Sequence, residues 1–253
     1  MTDTKIIWHK IIDSTNLEAH RQKEQFSDFT IFAAEFQTAG RGQRGNVWES
    51  AACQNLTFTI LLKPANVHPS NQFVISEVVA LGVASYLEEK GLKPKIKWPN
   101  DIYVDNLKIC GILIEHSVQR DRLSESIAGI GLNVNQLEFN SDAPNPTSLI
   151  LELRRRVNKD QGDFELDKEL VTLSEHIKKY YAMIGVDENK LEQEYLSRLY
   201  QKDQVATYVD MTKDEEFQGI ILGVTKNACL IIRDTDGQDR QFAFKELKYL
   251  IPQ

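Results

Sequence analysis

Three glycines and two arginines fall within Gly40-Arg41-Gly42-Gln43-Arg44-Gly45. Glycine lets the backbone come close to a ligand. Successive N–H groups in such a loop can form an anion-binding nest, and guanidinium forks suit carboxylates and phosphates. The residues on either side, 30–36 and 56–62, read as strands. That context excludes a dinucleotide fingerprint, whose Gly-x-Gly-x-x-Gly must open a helix. No Walker A pattern ends in Lys-Ser or Lys-Thr. On residue types alone the loop is either an anion site or a solvated hairpin loop.

A second group is Lys97-Trp98-Pro99-Asn100-Asp101. Here Asn100 and Asp101 serve either magnesium or phosphate binding or simple turn chemistry. Lys108 then opens the run Lys-Ile-Cys-Gly-Ile-Leu-Ile-Glu. Strand alternation puts it on one face with Cys110, Ile112 and Ile114, and puts Gly111 on the other. On an apolar face Lys108 either meets an anion, because an unpaired buried ammonium is costly, or reaches water from the strand end. Gly111 marks a close approach by a ligand or a second backbone. Gly129-Ile130-Gly131-Leu132-Asn133-Val134-Asn135 repeats the pattern of small residues followed by amides. In Ser14-Thr15-Asn16, Thr15 and Glu18 have capping-box spacing. A helix N-terminus also offers free N–H donors to a polar ligand. Trp48 either stacks on a flat ligand or fills the core.

The elements that must position these groups follow from hydrophobic period and turn signals. Strands are expected at 6–8 (running toward Ile12), 30–36, 56–62, 95–98, 102–104, 108–115 and 126–134. Helices are expected at 17–25, 73–89, 148–157, 164–183 and 189–200, with Gly91 ending the second. After Gln201 come short strands at 205–209, 216–224, 228–233 and 240–247. A boundary near residue 200 therefore divides a larger domain, 1–200, from a small barrel of SH3-like size, 201–253.

The chain has 253 residues, 42% of them hydrophobic and 26% charged, which is ordinary globular composition. A net charge of -7 opposes non-specific nucleic-acid binding. Cys53, Cys110 and Cys229 form no CxxC pair, and the five histidines show no metal-ligand spacing. No signal-peptide core or membrane-length apolar run is present, so a cytoplasmic compartment is expected.

Together the strings Asp13-Ser14-Thr15-Asn16, Glu35-Phe36-Gln37-Thr38-Ala39-Gly40-Arg41-Gly42, Lys97-Trp98-Pro99-Asn100-Asp101, Lys108–Glu115 and Gly129–Asn135 resemble biotin–protein ligases, in the same order along the chain. The resemblance implies an α+β fold: a mixed sheet with helices, of the class II aminoacyl-tRNA synthetase and biotin ligase type, followed by a small SH3-like β-barrel. It implies that Ser14, Thr15, Asn16, Gln37, Gly40, Arg41, Gly42, Gln43, Lys108 and Gly111 bind biotin. By the same resemblance Trp48, Lys97, Asn100, Asp101 and Asn133 bind ATP, and Arg41, Arg44 and Lys108 act in catalysis. Many bacterial relatives read Gly-Arg-Gly-Arg-Arg-Gly, so Gln43 leaves one cation fewer to retain the intermediate. Repressor-type relatives carry an N-terminal winged helix, and this chain starts at the catalytic segment, so DNA binding is not expected.

The implied reaction uses ATP and Mg²⁺ to convert biotin to biotinyl-5′-AMP. The biotinyl group then passes to a lysine of a biotin carboxyl carrier protein, the acetyl-CoA carboxylase carrier being the family expectation. The oligomeric state is left open between monomer and homodimer. Two rival readings are a lipoate or octanoyl ligase or transferase of the same superfamily and a biotin sensor without turnover.

Overall fold

The computed structural model describes residues 4–43, 47–140, 145–157 and 162–251. Its larger sheet has seven strands: β1 (Ile6–Ile12), β2 (Thr30–Gln37), β3 (Leu56–Leu62), β4 (Pro94–Lys97), β5 (Asp101–Val104), β6 (Leu107–Gln119) and β7 (Arg122–Leu132). Their order is β1-β2-β3-β7-β6-β5-β4. β1 and β2 are parallel, joined through helix α1 (Thr15–Gln22), and every other neighbouring pair is antiparallel.

Consecutive residues of the central strands feed opposite layers. Ile31, Ile60 and Ala128 join the large core, whereas Phe32, Leu61 and Ile127 join Ala19 beneath α1. The large core is closed by α2 (Phe73–Glu89), which packs on α4 (Leu166–Tyr181) and α5 (Glu188–Arg198). α3 (Leu149–Val157) contributes Leu149 to the same core. Every residue of β3 is buried, so its threonines, Thr57 and Thr59, must find hydrogen-bond partners on the α1 side of the sheet. Gly91, at φ +84°, follows α2 where the chain turns away from the helix.

A second sheet, entirely antiparallel, follows: β8 (Val205–Asp210), β9 (Glu215–Val224), β10 (Leu230–Asp234), β11 (Asp239–Phe242) and β12 (Leu247–Tyr249), in the order β11-β10-β9-β8-β12. The single strand expected at 240–247 is thus two. Between them Ala243 N donates to Glu246 Oε2 at 2.8 Å and Glu246 N donates to Ala243 O at 3.1 Å, folding the intervening residues into a turn. Trp98 Nε1 donates to Ala228 O at 3.0 Å, and Tyr200 N donates to Ile96 O at 2.8 Å, tying the end of β4 to the segment that carries the second sheet.

Two other expectations give way to local geometry. Ser14, not Thr15, is the N-cap residue of α1, and no side-chain cap bond forms there. Thr15 turns instead toward Gln37, so the capping box with Glu18 is absent. The β5–β6 register also shifts. Ile102 pairs with Cys110 but Tyr103 pairs with Lys108, leaving Ile109 as an extra residue on β6. The bulge reverses the alternation, so Lys108 lies on the Gly111 face and not with Cys110 and Ile112. A Cβ added at Gly111 would stand 3.5 Å from Lys108 Cε.

Two packing predictions follow. A Cβ at Gly82 would come within 2.5 Å of Ile177 Cα, a backbone atom that cannot turn aside. Gly82→Ala is expected to cost about 1–3 kcal/mol in denaturant unfolding, as overpacking does. Glu77, on α2, has its carboxyl pushed from 4.5 to about 7 by burial, with Glu192 and Glu188 adding to the effect. Because the folded chain holds this proton and the unfolded chain releases it, stability falls as pH rises from about 4.5 through 7. Glu77→Gln should flatten that slope and be the more stable form at pH 8, on the order of 2 kcal/mol, by thermal melts across pH 5–8.

Candidate functional site

Adjacent strands leave one stretch of sheet almost bare of side chains. Thr57 pairs with Gly131, Thr59 with Gly129, and Gly131 with Gly111, so small residues from β3, β7 and β6 share one face. Above this floor opens a cleft of about 830 Å³. Ser14, Thr15, Asn16, Gln37, Arg41, Gly42, Gln43, Trp48, Lys97, Asn100, Asp101, Lys108, Gly111 and Asn133 all line it. Gly40 lies behind the wall, where a Cβ would meet Trp48 O at 2.7 Å. Arg44 lies outside the described residues.

One end of the cleft is neutral and hydrogen-bonded. Ser14, Thr15 and Asn16 are buried at the start of α1. Thr15 donates to Gln37 Oε1 from both its backbone N (2.8 Å) and its hydroxyl (3.1 Å). With its oxygen engaged, the Gln37 side chain has its NH₂ group to offer as a donor. The Thr59 hydroxyl lies 2.8 Å from Thr15 Oγ1 and 2.6 Å from Asn16 Oδ1. Asn16 Nδ2 in turn donates to Glu115 Oε2 at 3.1 Å. Glu115 also stands 3.6 Å from Arg41 and 3.6 Å from His20, so it links the start of α1 to the arginine loop. Asp13, just before the helix, is paired with Arg21, and that guanidinium brings its carboxyl down to about 2.

The other end is charged. Lys108 Nζ is 2.7 Å from Asp101 Oδ1 and 5.8 Å from the Trp48 ring. Its backbone is held from both sides, by Asn145 O at 2.8 Å and Thr147 N at 2.9 Å. Lys97 is half-buried, with its ammonium over the Tyr103 and Tyr249 rings. Burial lowers its ammonium pKa, Lys108 acts in the same direction, and Asp101 opposes them. Asn100 Nδ2 donates to Ile112 O at 2.7 Å, and Asn133 Nδ2 to Thr147 O at 2.9 Å, so both amides brace the walls. Asn133 Oδ1 is buried without a partner among the described residues.

The loop is clasped at its base by an Arg41–Val47 bridge and by Trp48 N donating to Gly40 O at 3.1 Å. From there the Trp48 indole lies across the floor. A Cβ on Gly111 would come within 2.9 Å of Trp48 Cζ3, and one on Gly131 would overlap the ring. The indole Nε1 is buried and has no partner among the described residues.

Several lining residues were not singled out from the sequence. Thr57 is legible as a hydroxyl between apolar residues in a buried strand. Leu247 and Tyr249 come from β12, and Phe244 and Lys245 from the turn before it, more than a hundred residues beyond Asp101, and no local pattern announces them. Among the described residues no group of three His, Cys, Asp or Glu side chains could hold a metal ion.

Residues 8–133 match the model of the Biotin/lipoate A/B protein ligase family. Biotin–protein ligase 1, chloroplastic, of Arabidopsis thaliana is 27% identical over 241 residues, which cover 92% of this chain and 63% of that protein. The bifunctional ligase/repressor BirA of Bacillus subtilis is 35% identical over 133 residues, covering 52% of this chain and 41% of its own. The chain therefore spans less than two thirds of the length of either relative. Among solved structures, the biotin protein ligase of Aquifex aeolicus in complex with biotin and ATP superposes with a TM-score of 0.77. It is 25% identical, with 98% of this chain and 99% of that one covered.

The geometry of the floor makes a direct prediction. Gly131→Ala should push the Trp48 indole out of the cleft, because a methyl there occupies the ring's place. Acrylamide quenching of the Trp48 emission, taken as the difference from Trp48→Phe, should rise. Unchanged quenching would show that the ring does not rest on Gly131.

Proposed function

This chain belongs to the biotin/lipoate A/B protein ligase family, and on that premise we propose that it joins biotin to ATP and passes the biotinyl group to a carrier-protein lysine. The observation that carries the reading is a single cleft with a neutral, donor-rich end at Thr15 and Gln37 and a cationic end at Lys108 and Lys97. Biotin has the same polarity, a neutral ureido head and a carboxylate at the end of its chain.

The head would meet the buried Ser14, Thr15 and Asn16 and the half-buried Gln37. A lipoyl dithiolane has no comparable polar head, so it would leave the Gln37 NH₂, whose oxygen Thr15 already engages, without a ligand acceptor, which favours biotin. Gly40, Gly42, Gln43 and Gly111 would shape the walls. Lys108 would face the biotin carboxylate and the α-phosphate. ATP would occupy the end formed by Trp48, Lys97, Asn100, Asp101 and Asn133.

In the first step a carboxylate oxygen attacks the α-phosphorus, the bond to the β-phosphate oxygen breaks, and pyrophosphate leaves. In the second, a carrier lysine amine attacks the acyl carbon and AMP leaves with the bonding electrons. Arg41, Arg44 and Lys108 would offset the negative charge at the reacting phosphate, which requires positioning and fixed cations but no Ser or Cys nucleophile. Asp101 and Glu49 are the carboxylates of the described lining, and Mg²⁺ binds by one or two carboxylates together with substrate phosphates. Those residues fit an ion that arrives on the nucleotide, where it neutralises phosphate charge. The acceptor proposed is a biotin carboxyl carrier domain. No helix of the described residues is long and apolar enough to cross a membrane.

Lys108→Ala is expected to lower biotin-dependent ATP–pyrophosphate exchange on the order of 10²–10³-fold with an unchanged melting curve. Adding lipoate in place of biotin should give no exchange, and a biotin-carrier domain should gain the biotinyl mass. Near wild-type exchange by Lys108→Ala would defeat the assignment of Lys108. A wild-type protein that binds biotin but exchanges no pyrophosphate would be a sensor.

A further inference from the structure

The second sheet reaches into the cleft. Tyr249, on its edge strand β12, is both buried and part of the cleft wall, and its ring centroid lies 4.7 Å from Lys97 Nζ. The Tyr103 ring, from β5, lies 5.5 Å from the same nitrogen. Lys97 is therefore caged by one aromatic face from each sheet. The cage is itself braced: Tyr103 packs on Tyr200 at 5.4 Å, and Tyr249 packs on Tyr208 at 5.3 Å and Tyr200 at 6.3 Å. Tyr200 is fixed by its hydroxyl, which donates to Asn106 Oδ1 at 2.8 Å.

The chemistry of this cage points outward to a ligand. Asp101, the nearby carboxylate, is taken up by Lys108 at 2.7 Å. Aromatic faces attract the Lys97 ammonium without accepting conventional hydrogen bonds from it. Its N–H donors are thus held near the charged end of the cleft and kept for an anion. The Tyr249 hydroxyl has no partner among the described residues, so what the cage uses is the ring.

We propose that Tyr249 is a positioning residue for the nucleotide: its ring holds Lys97 against the polyphosphate of ATP, making the second sheet part of the ATP site. This rests on the function proposed above. Tyr249 touches neither reacting atom, and acts through Lys97.

The test is steady-state biotin-dependent ATP–pyrophosphate exchange, with biotin affinity measured separately by calorimetry in the absence of ATP. Tyr249→Leu and Lys97→Met should each raise the KM for ATP about tenfold, the order of one desolvated cation–π contact, with biotin Kd unchanged. The double variant should be no worse than Lys97→Met alone, because the ring has nothing left to position. Tyr249→Phe keeps the ring and should restore the wild-type KM for ATP. If Tyr249→Leu does not fold, the unbranched Tyr249→Met takes its place. The proposal is overturned if Tyr249→Phe loses as much as the aliphatic variant, if the two single effects add in full, or if biotin Kd and ATP KM shift together. Absence of any exchange in the wild-type protein would instead overturn the functional reading on which the proposal rests.

Discussion

The pairing of Gly111 with Gly131 across β6 and β7, flanked by Thr57, Thr59 and Gly129, governs the rest of the site. A sheet covered on both faces normally fills them with side chains, as Phe58, Ile60 and Ile130 do toward the large core. On the opposite face the small residues leave a bare strip of backbone beyond the start of α1. Everything that gives the cleft its character stands around that strip: the first turn of α1, the arginine loop, Trp48 and the β4–β5 turn. A side chain at Gly111 or Gly131 would run into the Trp48 ring, and one at Gly129 into Asn16.

The polarity of the cleft has a topological origin. The neutral end lies where β1 passes into α1 and β2 passes into the arginine loop, so hydroxyls and amides arrive together on parallel neighbours. The cationic end lies where β4 turns into β5 and β6 begins, and there the second sheet closes over the wall. A chain joined in this way can bring lysines from separate segments close together, provided that each has its own counterpart. For Lys108 that counterpart is Asp101, and for Lys97 it is a pair of rings.

Much of this was legible in the sequence because the carriers are local. The Gly-Arg loop, the strand glycines and the Ser14-Thr15-Asn16 turn announce close backbone approach and polar ligation by composition alone. Strand and helix positions followed from period and from punctuation such as Gly91. Lys108 was assigned to the wrong face because alternation assumes an unbroken ladder, and one extra residue at Ile109 reverses it. The Thr15–Glu18 spacing suggested a cap, but the side-chain oxygen of Gln37, from β2, captured Thr15. Tyr249 was out of reach because its proximity to Lys97 is set by how the second sheet meets β4 and β5, which no short window of sequence encodes.

Trp48 resting on the floor occupies the place that any molecule lying there would take. A molecule that lies on Gly111 and Gly131 must take the indole's place, so its measured affinity is its intrinsic affinity multiplied by the fraction of time the floor is free. The ring is tethered by a short clasped loop, which gives it a high effective concentration that no dilution reduces. Expelling it exposes apolar surface unless the ring finds a new flat partner. A flat group arriving beside the strip would supply that partner, so a molecule on the floor and one against the ring would favour each other's binding.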